Sequence, residues 1–446
     1  MTTVPSSQSW DLSRRTLPRG YPVTAIGLPV TLLTRVVLTF LVASLFLEKY
    51  EAALYQNGTV PIPEPFFLLA IALVATKLFL DTAVRLAQPA PLTTYDGVLF
   101  ALVCLLGILS LYPAVTLGFQ GQTIRTFIHL VALFTSAFVM GRALDRDNLR
   151  FVLDAYFFGT VLVSCLAVAQ AFDQNLVHFG LADALGMKSR FVGDFVRPIS
   201  IMSEPAYLGY ACLASIFIGI WRMHLRGYTR GTFAGIGACA LTMLLTGAIG
   251  PFVVGGMLAA GILAYKRSIV LNGRMLAAGI IAVAMLVVLQ VGDILIDRAS
   301  SIASGDDASA SARGSLNRGS FEIWHEMPFT GVGLGNSRFF LGDLVIIPGI
   351  ERPTEFPAAN VYLGLLGETG PFGVIGLVLA FLLLLGSKQR SDMLTTENLV
   401  RILVLSTALE FLIVGTFLLP PFWFWAGLRI AQGHCAGEEE VATNVR

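Results

Sequence analysis

Residues 191–220 read FVGDFVRPISIMSEPAYLGYACLASIFIGI, which places Arg197 and Glu204 just ahead of a run apolar enough to cross a bilayer. A guanidinium at that edge can give paired hydrogen bonds to a phosphate group, and a carboxylate can accept a proton. The same residues also suit plainer work. Arginine anchors a helix at a membrane edge, Ser203 can cap a helix, and Glu204 and Pro205 fit its first turn. A second stretch, SARGSLNRGSFEIW, carries Arg313, Arg318, Glu322 and Trp324. On a helix starting at about 315, Arg318 and Glu322 are one turn apart and can simply pair. The sharper reading has Arg313 facing the same cavity as Arg197, which would supply two guanidiniums for a diphosphate.

Two further segments hold candidate residues. GVGLGN at 331–336, with Gly333, Gly335 and Asn336, superficially resembles a phosphate-cradling loop. It lacks the P-loop lysine and no strand precedes it, so tight turning and close backbone packing are the expected use. From Ala358, AANVYLGLLGETGPFG opens an apolar helix with Asn360, Tyr362 and Glu368. A carboxylate about two turns into such a helix is costly and by default a functional candidate. Gly370-Pro371 behind it would interrupt the helix and free backbone groups for Glu368 to satisfy. Arg35, Lys77, Asp81, Asp154 and Glu410 are similar intramembrane charges, some of them expected to pair between helices.

These residues must be positioned by helices in a membrane. Of 446 residues, 55% are hydrophobic and 13% charged, with a mean hydropathy of +0.74. Apolar runs of about 20 residues recur, each matching the roughly 30 Å hydrocarbon core of a bilayer. They are continuous rather than alternating, which favours helices over a barrel. About twelve spans are expected: 28–47, 65–85, 97–117, 124–141, 151–172, 204–221, 231–246, 249–265, 275–292, 359–385, 399–418 and 421–432. TGAIGP at 246–251 is a tight break, so 231–265 reads as two spans or a re-entrant hairpin.

Positive charge orients the chain. Arg14, Arg15 and Arg19, then Arg85, Arg142, Arg146, Arg150, Arg222, Arg226 and Arg230, and Lys266, Arg267, Arg274, Lys388, Arg390 and Arg401 all fall on one side of this topology. By the positive-inside rule that side is the cytoplasm, with Lys49 and Arg125 as exceptions in the short outer connections. The expected organisation is a cytoplasmic segment 1–27 and a transmembrane region 28–292 holding nine spans and an outer segment 173–203. A periplasmic loop 293–358 with a surface helix follows, then three more spans over 359–432 and a cytoplasmic tail 433–446. Both outer segments carry basic residues, Lys188, Arg190 and Arg197 in one and Arg298, Arg313, Arg318, Arg338 and Arg352 in the other. Arginine on the outer face calls for a ligand. The start of the long loop, DRASSIASGDDASASARGS, is small and polar enough to be flexible.

Other function classes find little support. A net charge of +1 and the lack of a basic cluster with interleaved aromatics give no case for nucleic acid. No histidine spacing suits zinc. Four of the five cysteines, Cys104, Cys165, Cys212 and Cys239, fall in apolar runs, so a disulfide framework is not expected.

The order of these motifs resembles the O-antigen ligase/polymerase superfamily. RPxxxxSEP precedes a mid-chain helix, an SxR…W helix sits in a long outer loop, and a GxGxGN turn leads into NxYLxLLxExGxxG. The likeness covers roughly 150–385. It implies an all-α, GT-C-like membrane glycosyltransferase that uses undecaprenyl-diphosphate-linked oligosaccharide at the periplasmic face of the inner membrane, with no metal, nucleotide or other cofactor. Carried onto this chain, it makes Arg197 and Arg313 the diphosphate-binding residues, with Arg318 and Arg338 as weaker candidates. Ser203, Tyr207, Gly333, Gly335, Asn336, Asn360 and Tyr362 would shape the site. Where ligases have a histidine before the asparagine, this chain has Ala359-Asn360, and His325 on the outer loop does not match that position. The resemblance therefore implies a Wzy-type polymerase of a surface or exopolysaccharide, with Glu204 as general base and Glu368 in reserve. A chain-length-regulating co-polymerase is an implied partner. A ligase transferring glycan to a lipid or protein acceptor is the alternative enzyme. A transporter of lipid-linked glycan is the alternative outside enzymology, although the halves show no convincing internal repeat of the kind transporters often carry.

Overall fold

The computed structural model describes residues 27–46, 72, 93–180, 190–192, 195–198, 200, 202, 204–265, 308–344, 358–386, 395–414 and 420–444. Helix dominates them. The first half holds α1 (Gly27–Ser44), α2 (Thr94–Thr116), α3 (Gln120–Ala143) and α4 (Arg146–Phe172). A π turn (Asp173–Val177), a hairpin of β1 (Arg190–Val192) and β2 (Phe195–Arg197), and α5 (Pro205–Arg226) follow. Next come α6 (Arg230–Leu245), α7 (Ile249–Tyr265), α8 (Ala308–Glu326), α9 (Ser337–Leu344), α10 (Val361–Leu385), α11 (Thr396–Glu410) and α12 (Pro420–Asn444).

Local chemistry fixes where these helices start. Thr93 and Asp96 form a reciprocal capping box at α2, with the Asp96 carboxylate accepting from the Thr93 N–H at 2.7 Å. Asp145 caps α4, Thr229 caps α6 and Thr395 caps α11, each through its side-chain oxygen. Asn360 caps α10, its Oδ1 accepting from Tyr362 N–H at 2.8 Å and Leu363 N–H at 3.2 Å.

Among the described residues, five helices are long and apolar enough to cross a membrane: α2, α3, α4 with its π turn, α5 and α10. In α2, α3 and α10 only 39% of the most apolar window is buried inside the protein. Phe100, Ile108, Leu111, Ile128, Ile375, Leu379 and Leu382 are among the large apolar side chains left outside. So large an apolar belt has no place in water, whereas lipid receives it at no cost. This is an all-α, multi-pass membrane protein. The main core joins α1 to α5 with α10, α11 and α12. Phe381, Phe411 and Phe422 interlock in it with ring centroids 5.2–5.7 Å apart.

The structure departs from the sequence reading at several points. Spans 65–85 and 275–292 lie outside the described residues, except that residue 72 is helical. The outer-loop helix begins at Ala308, well before 315, so the ASASARGS segment is ordered helix rather than flexible chain. Alanine is the best helix former, and Leu316 and Ile323 farther along bury against Val332, Leu341 and Ala358. A short antiparallel hairpin, with Arg190 opposite Arg197, sits where only helix and loop were anticipated. The cap position of α5 is Glu204, whose side chain makes no capping bond, while Ser203 lies outside the described residues. Over 231–265 there are two helices joined at Gly247 (φ +57°). Their 16 and 17 residues span about 24–26 Å at 1.5 Å per residue.

Candidate functional site

Arg197 is aimed by a strap of side-chain to backbone bonds. Asn175, in the π turn that ends α4, accepts from Val196 N–H at 2.8 Å and donates to the Val196 carbonyl at 3.0 Å. Gln170 accepts from Ser200 N–H at 2.8 Å. With β2 thus held to the end of α4, the partly buried Arg197 side chain reaches the α6–α7 turn. There its Nε donates to the Thr246 carbonyl, and it passes over Gly247, where a Cβ would lie 3.5 Å from that nitrogen.

Tyr207 and Tyr210 follow on the first turns of α5. The Tyr210 phenol lies within electrostatic reach of both the Arg313 guanidinium of α8 and the Glu410 carboxylate that closes α11. Arg313 is exposed, and among the described residues it makes no ion pair. The start of α5, the α6–α7 turn and the end of α11 thus meet at one end of the bundle, and Arg313 of α8 lies within electrostatic reach of Tyr210 there.

A second group forms around the break in α10. Gly370 adopts φ +66° before Pro371, which opens the helix. The GVGLGN turn docks into that opening: Val332 N–H donates to the Gly367 carbonyl at 2.9 Å and Gly333 N–H to the Glu368 carbonyl at 2.8 Å. Gly331 has φ +60°, and a Cβ there would strike the Gly367 and Glu368 backbone, so only glycine fits. The Glu368 carboxylate accepts from the Ser337 hydroxyl at 2.6 Å and from the backbone N–H groups of Gly335 and Ser337. Asn336 donates to Thr123 Oγ1 at 3.0 Å and to the Val332 carbonyl at 2.9 Å, and Leu334 N–H donates to Ser110 Oγ at 3.2 Å. Gly333, Gly335, Asn336 and Glu368 therefore pin the outer segment to α2, α3 and α10. In this arrangement the carboxylate of Glu368 is already committed to three donors.

The remaining sequence candidates have plain partners. Arg318 pairs with Glu322 at 3.2 Å on the exposed face of α8. Arg338 lies over the Phe339 ring, 4.9 Å from its centroid. Asn360 donates to the Leu412 carbonyl at 2.9 Å and the Tyr362 hydroxyl to the Ala408 carbonyl at 2.8 Å, which ties the start of α10 to the end of α11.

Glu410, Tyr156 and Tyr210 line a cavity that site selection from sequence missed. It opens between α1, α4, α5, α11 and the start of α12, with Tyr207, Ser406 and Thr407 also on its wall. The signal is in the sequence, since Glu410 is an intramembrane carboxylate, but there it looks like the acids expected to pair between helices. Asp154 does pair, with Arg222 and with Arg226. Glu410 has no ion pair among the described residues.

Residues 231–378 match the Wzy_C family, described as O-antigen ligase. The match runs from α6 through most of α10, so it includes Arg313, the GVGLGN turn and Glu368, and stops short of Arg197, Glu204 and Glu410. It bears out the resemblance drawn from the motifs. No curated protein matches the chain.

Proposed function

We propose, for a chain whose residues 231–378 carry the Wzy_C O-antigen ligase domain, that it polymerises lipid-linked oligosaccharide repeat units. The donor would be an undecaprenyl-diphosphate-linked glycan, and the reaction would run at the periplasmic face of the bacterial inner membrane. The observation that best supports the reading is a pair of arginines, Arg197 donating to the Thr246 carbonyl over the α6–α7 turn and Arg313 exposed within electrostatic reach of Tyr210 with no ion pair among the described residues. Two such cations suit a diphosphate, whose charge grows as it leaves the anomeric carbon. Because that leaving group is already good, charge stabilisation supplies much of the catalysis. Glu204 stands at the edge of the same neighbourhood, and Arg338 is a further cation beside the docked turn.

The family description itself favours a second reading, ligase, in which finished glycan passes to a lipid or protein acceptor. Ala359-Asn360, in place of histidine-asparagine, supports the polymerase. Reconstitution in proteoliposomes with lipid-linked oligosaccharide extracted from the source bacterium separates the two. A ladder of lengthening lipid-linked products is the expected result. Transfer only to an added lipid acceptor, with no ladder, would replace polymerase by ligase. No transfer of any kind would remove both.

A further inference from the structure

Three carboxylates are candidates for the proton acceptor, and they differ in what surrounds them. Glu204 occupies the cap position of α5. Glu368 is held by three donors in the docked turn. Glu410 is 9% exposed, and what exposure it has opens into the cavity between α4, α5 and α11. Among the described residues no side chain or backbone group donates a hydrogen bond to its carboxylate. The cavity offers about 50 Å³ of internal space. Its walls are unusual for a membrane interior, since three tyrosines, Tyr156, Tyr207 and Tyr210, share it with Ser406 and Thr407. The Tyr210 side chain is 5% exposed, and its hydroxyl is buried with no hydrogen-bond partner.

A buried carboxylate and a buried phenol with no partner are each costly unless a ligand completes them. Both face one cavity, and the ligand class follows from what lines it. Aromatic rings present flat apolar faces to the C–H face of a sugar, while a carboxylate and hydroxyls accept and donate hydrogen bonds to its hydroxyl groups. The Tyr210 phenol also lies within electrostatic reach of both Glu410 and Arg313.

On the strength of the glycosyl-transfer reading, we propose that the Glu410 cavity binds the acceptor sugar and that Glu410 accepts the proton of its attacking hydroxyl. The hydroxyl O–H bond breaks as its oxygen bonds to the anomeric carbon of the donor. The bond from that carbon to the lipid diphosphate breaks at the same time, and its electron pair leaves on the diphosphate, where Arg197 and Arg313 meet the charge. The proton moves to the Glu410 carboxylate and leaves through the cavity mouth. Tyr210, on the wall of the same cavity, holds the acceptor hydroxyl.

The test compares wild type, Glu410→Gln, Glu410→Asp and Tyr210→Phe in proteoliposomes. Turnover is measured on the extracted lipid-linked oligosaccharide, and binding is measured with undecaprenyl diphosphate alone. Glutamine keeps the shape and the hydrogen-bonding capacity but takes no proton. It should lower turnover about 100-fold or more, the usual contribution of a general base, with undecaprenyl diphosphate binding unchanged. Aspartate should recover part of the lost turnover. Tyr210→Phe should raise the oligosaccharide concentration needed for half-maximal turnover more than it lowers the maximal rate. Near wild-type turnover in Glu410→Gln overturns the proposal, and so does a loss of undecaprenyl diphosphate binding that matches the loss of turnover. Wild type that binds undecaprenyl diphosphate yet transfers no glycan would sink the transferase reading instead, whatever the variants do.

Discussion

The two ends of the bundle treat charge in opposite ways. At one end, arginines are matched to acids that are buried or partly buried. Arg222 and Arg226 meet Asp154, His434 lies 3.2 Å and Arg142 3.9 Å from Asp96, and Arg401 and Arg429 lie 2.7 Å and 3.4 Å from Glu397. Each cluster joins different helices: α4 with α5, α2 with α3 and α12, α11 with α12. At the other end, Arg197 takes a backbone carbonyl, Arg313 has no ion pair among the described residues, and Glu410 opens into a cavity. Helices there are fastened by neutral means instead: glycine turns, the Asn360 cap and tyrosine-to-carbonyl bonds. Where cations serve the fold they are neutralised within it. Where neutral contacts do the fastening, Arg313 is left to meet something from outside.

That contrast can be broken by substitution, and the largest effect belongs to the paired end. Asp154→Ala strands two arginines, one of them buried, and should cost about 3–5 kcal/mol, read as a lower unfolding temperature in detergent. Arg313→Ala should leave that temperature unchanged. If Asp154→Ala unfolds like wild type, the paired end is not what holds the helices together. Gly370→Ala comes next, because its φ of +66° is strained for alanine and the new Cβ would strike the Phe329 carbonyl. A loss of about 1–3 kcal/mol is expected, and a neutral result would mean that the turn does not dock into the α10 break. Asn360→Ala removes the cap of α10 and its bond to Leu412, for about 1 kcal/mol. The smallest effect is that of Arg318→Ala, whose exposed pairing with Glu322 should change stability by less than about 0.5 kcal/mol and leave turnover close to wild type. A collapse of turnover there would move the phosphate site outward along α8.

Much of the paired end was legible in the sequence, because it follows rules of position. Arginines between apolar runs sort by side, and an acid inside a run calls for a partner, as Asp154 found in Arg222 and Arg226. The tight use of GVGLGN was also readable, since glycines without a lysine imply close packing. What stayed hidden depends on distance in three dimensions. Glu410 and Asp154 look alike in sequence, as lone acids in apolar helices, and only packing shows that one has partners and the other a cavity. The hairpin that aims Arg197 was hidden because its fastening residues, Gln170 and Asn175, lie on the far side of residues 181–189. The start of α8 was misplaced because a run of alanine and serine looks like linker until Leu316 and Ile323 give its face something to cover.

The central claim is that Arg197 and Arg313 hold the donor's diphosphate while the paired arginines hold the fold. Glycan transfer in proteoliposomes, with wild type, Arg197→Ala and Arg313→Ala matched for folded protein, tests it most directly. Each alanine variant should unfold at the wild-type temperature and transfer glycan about 100-fold more slowly or worse, the usual loss when one charge-stabilising group is removed. Wild-type transfer by either variant would contradict the claim.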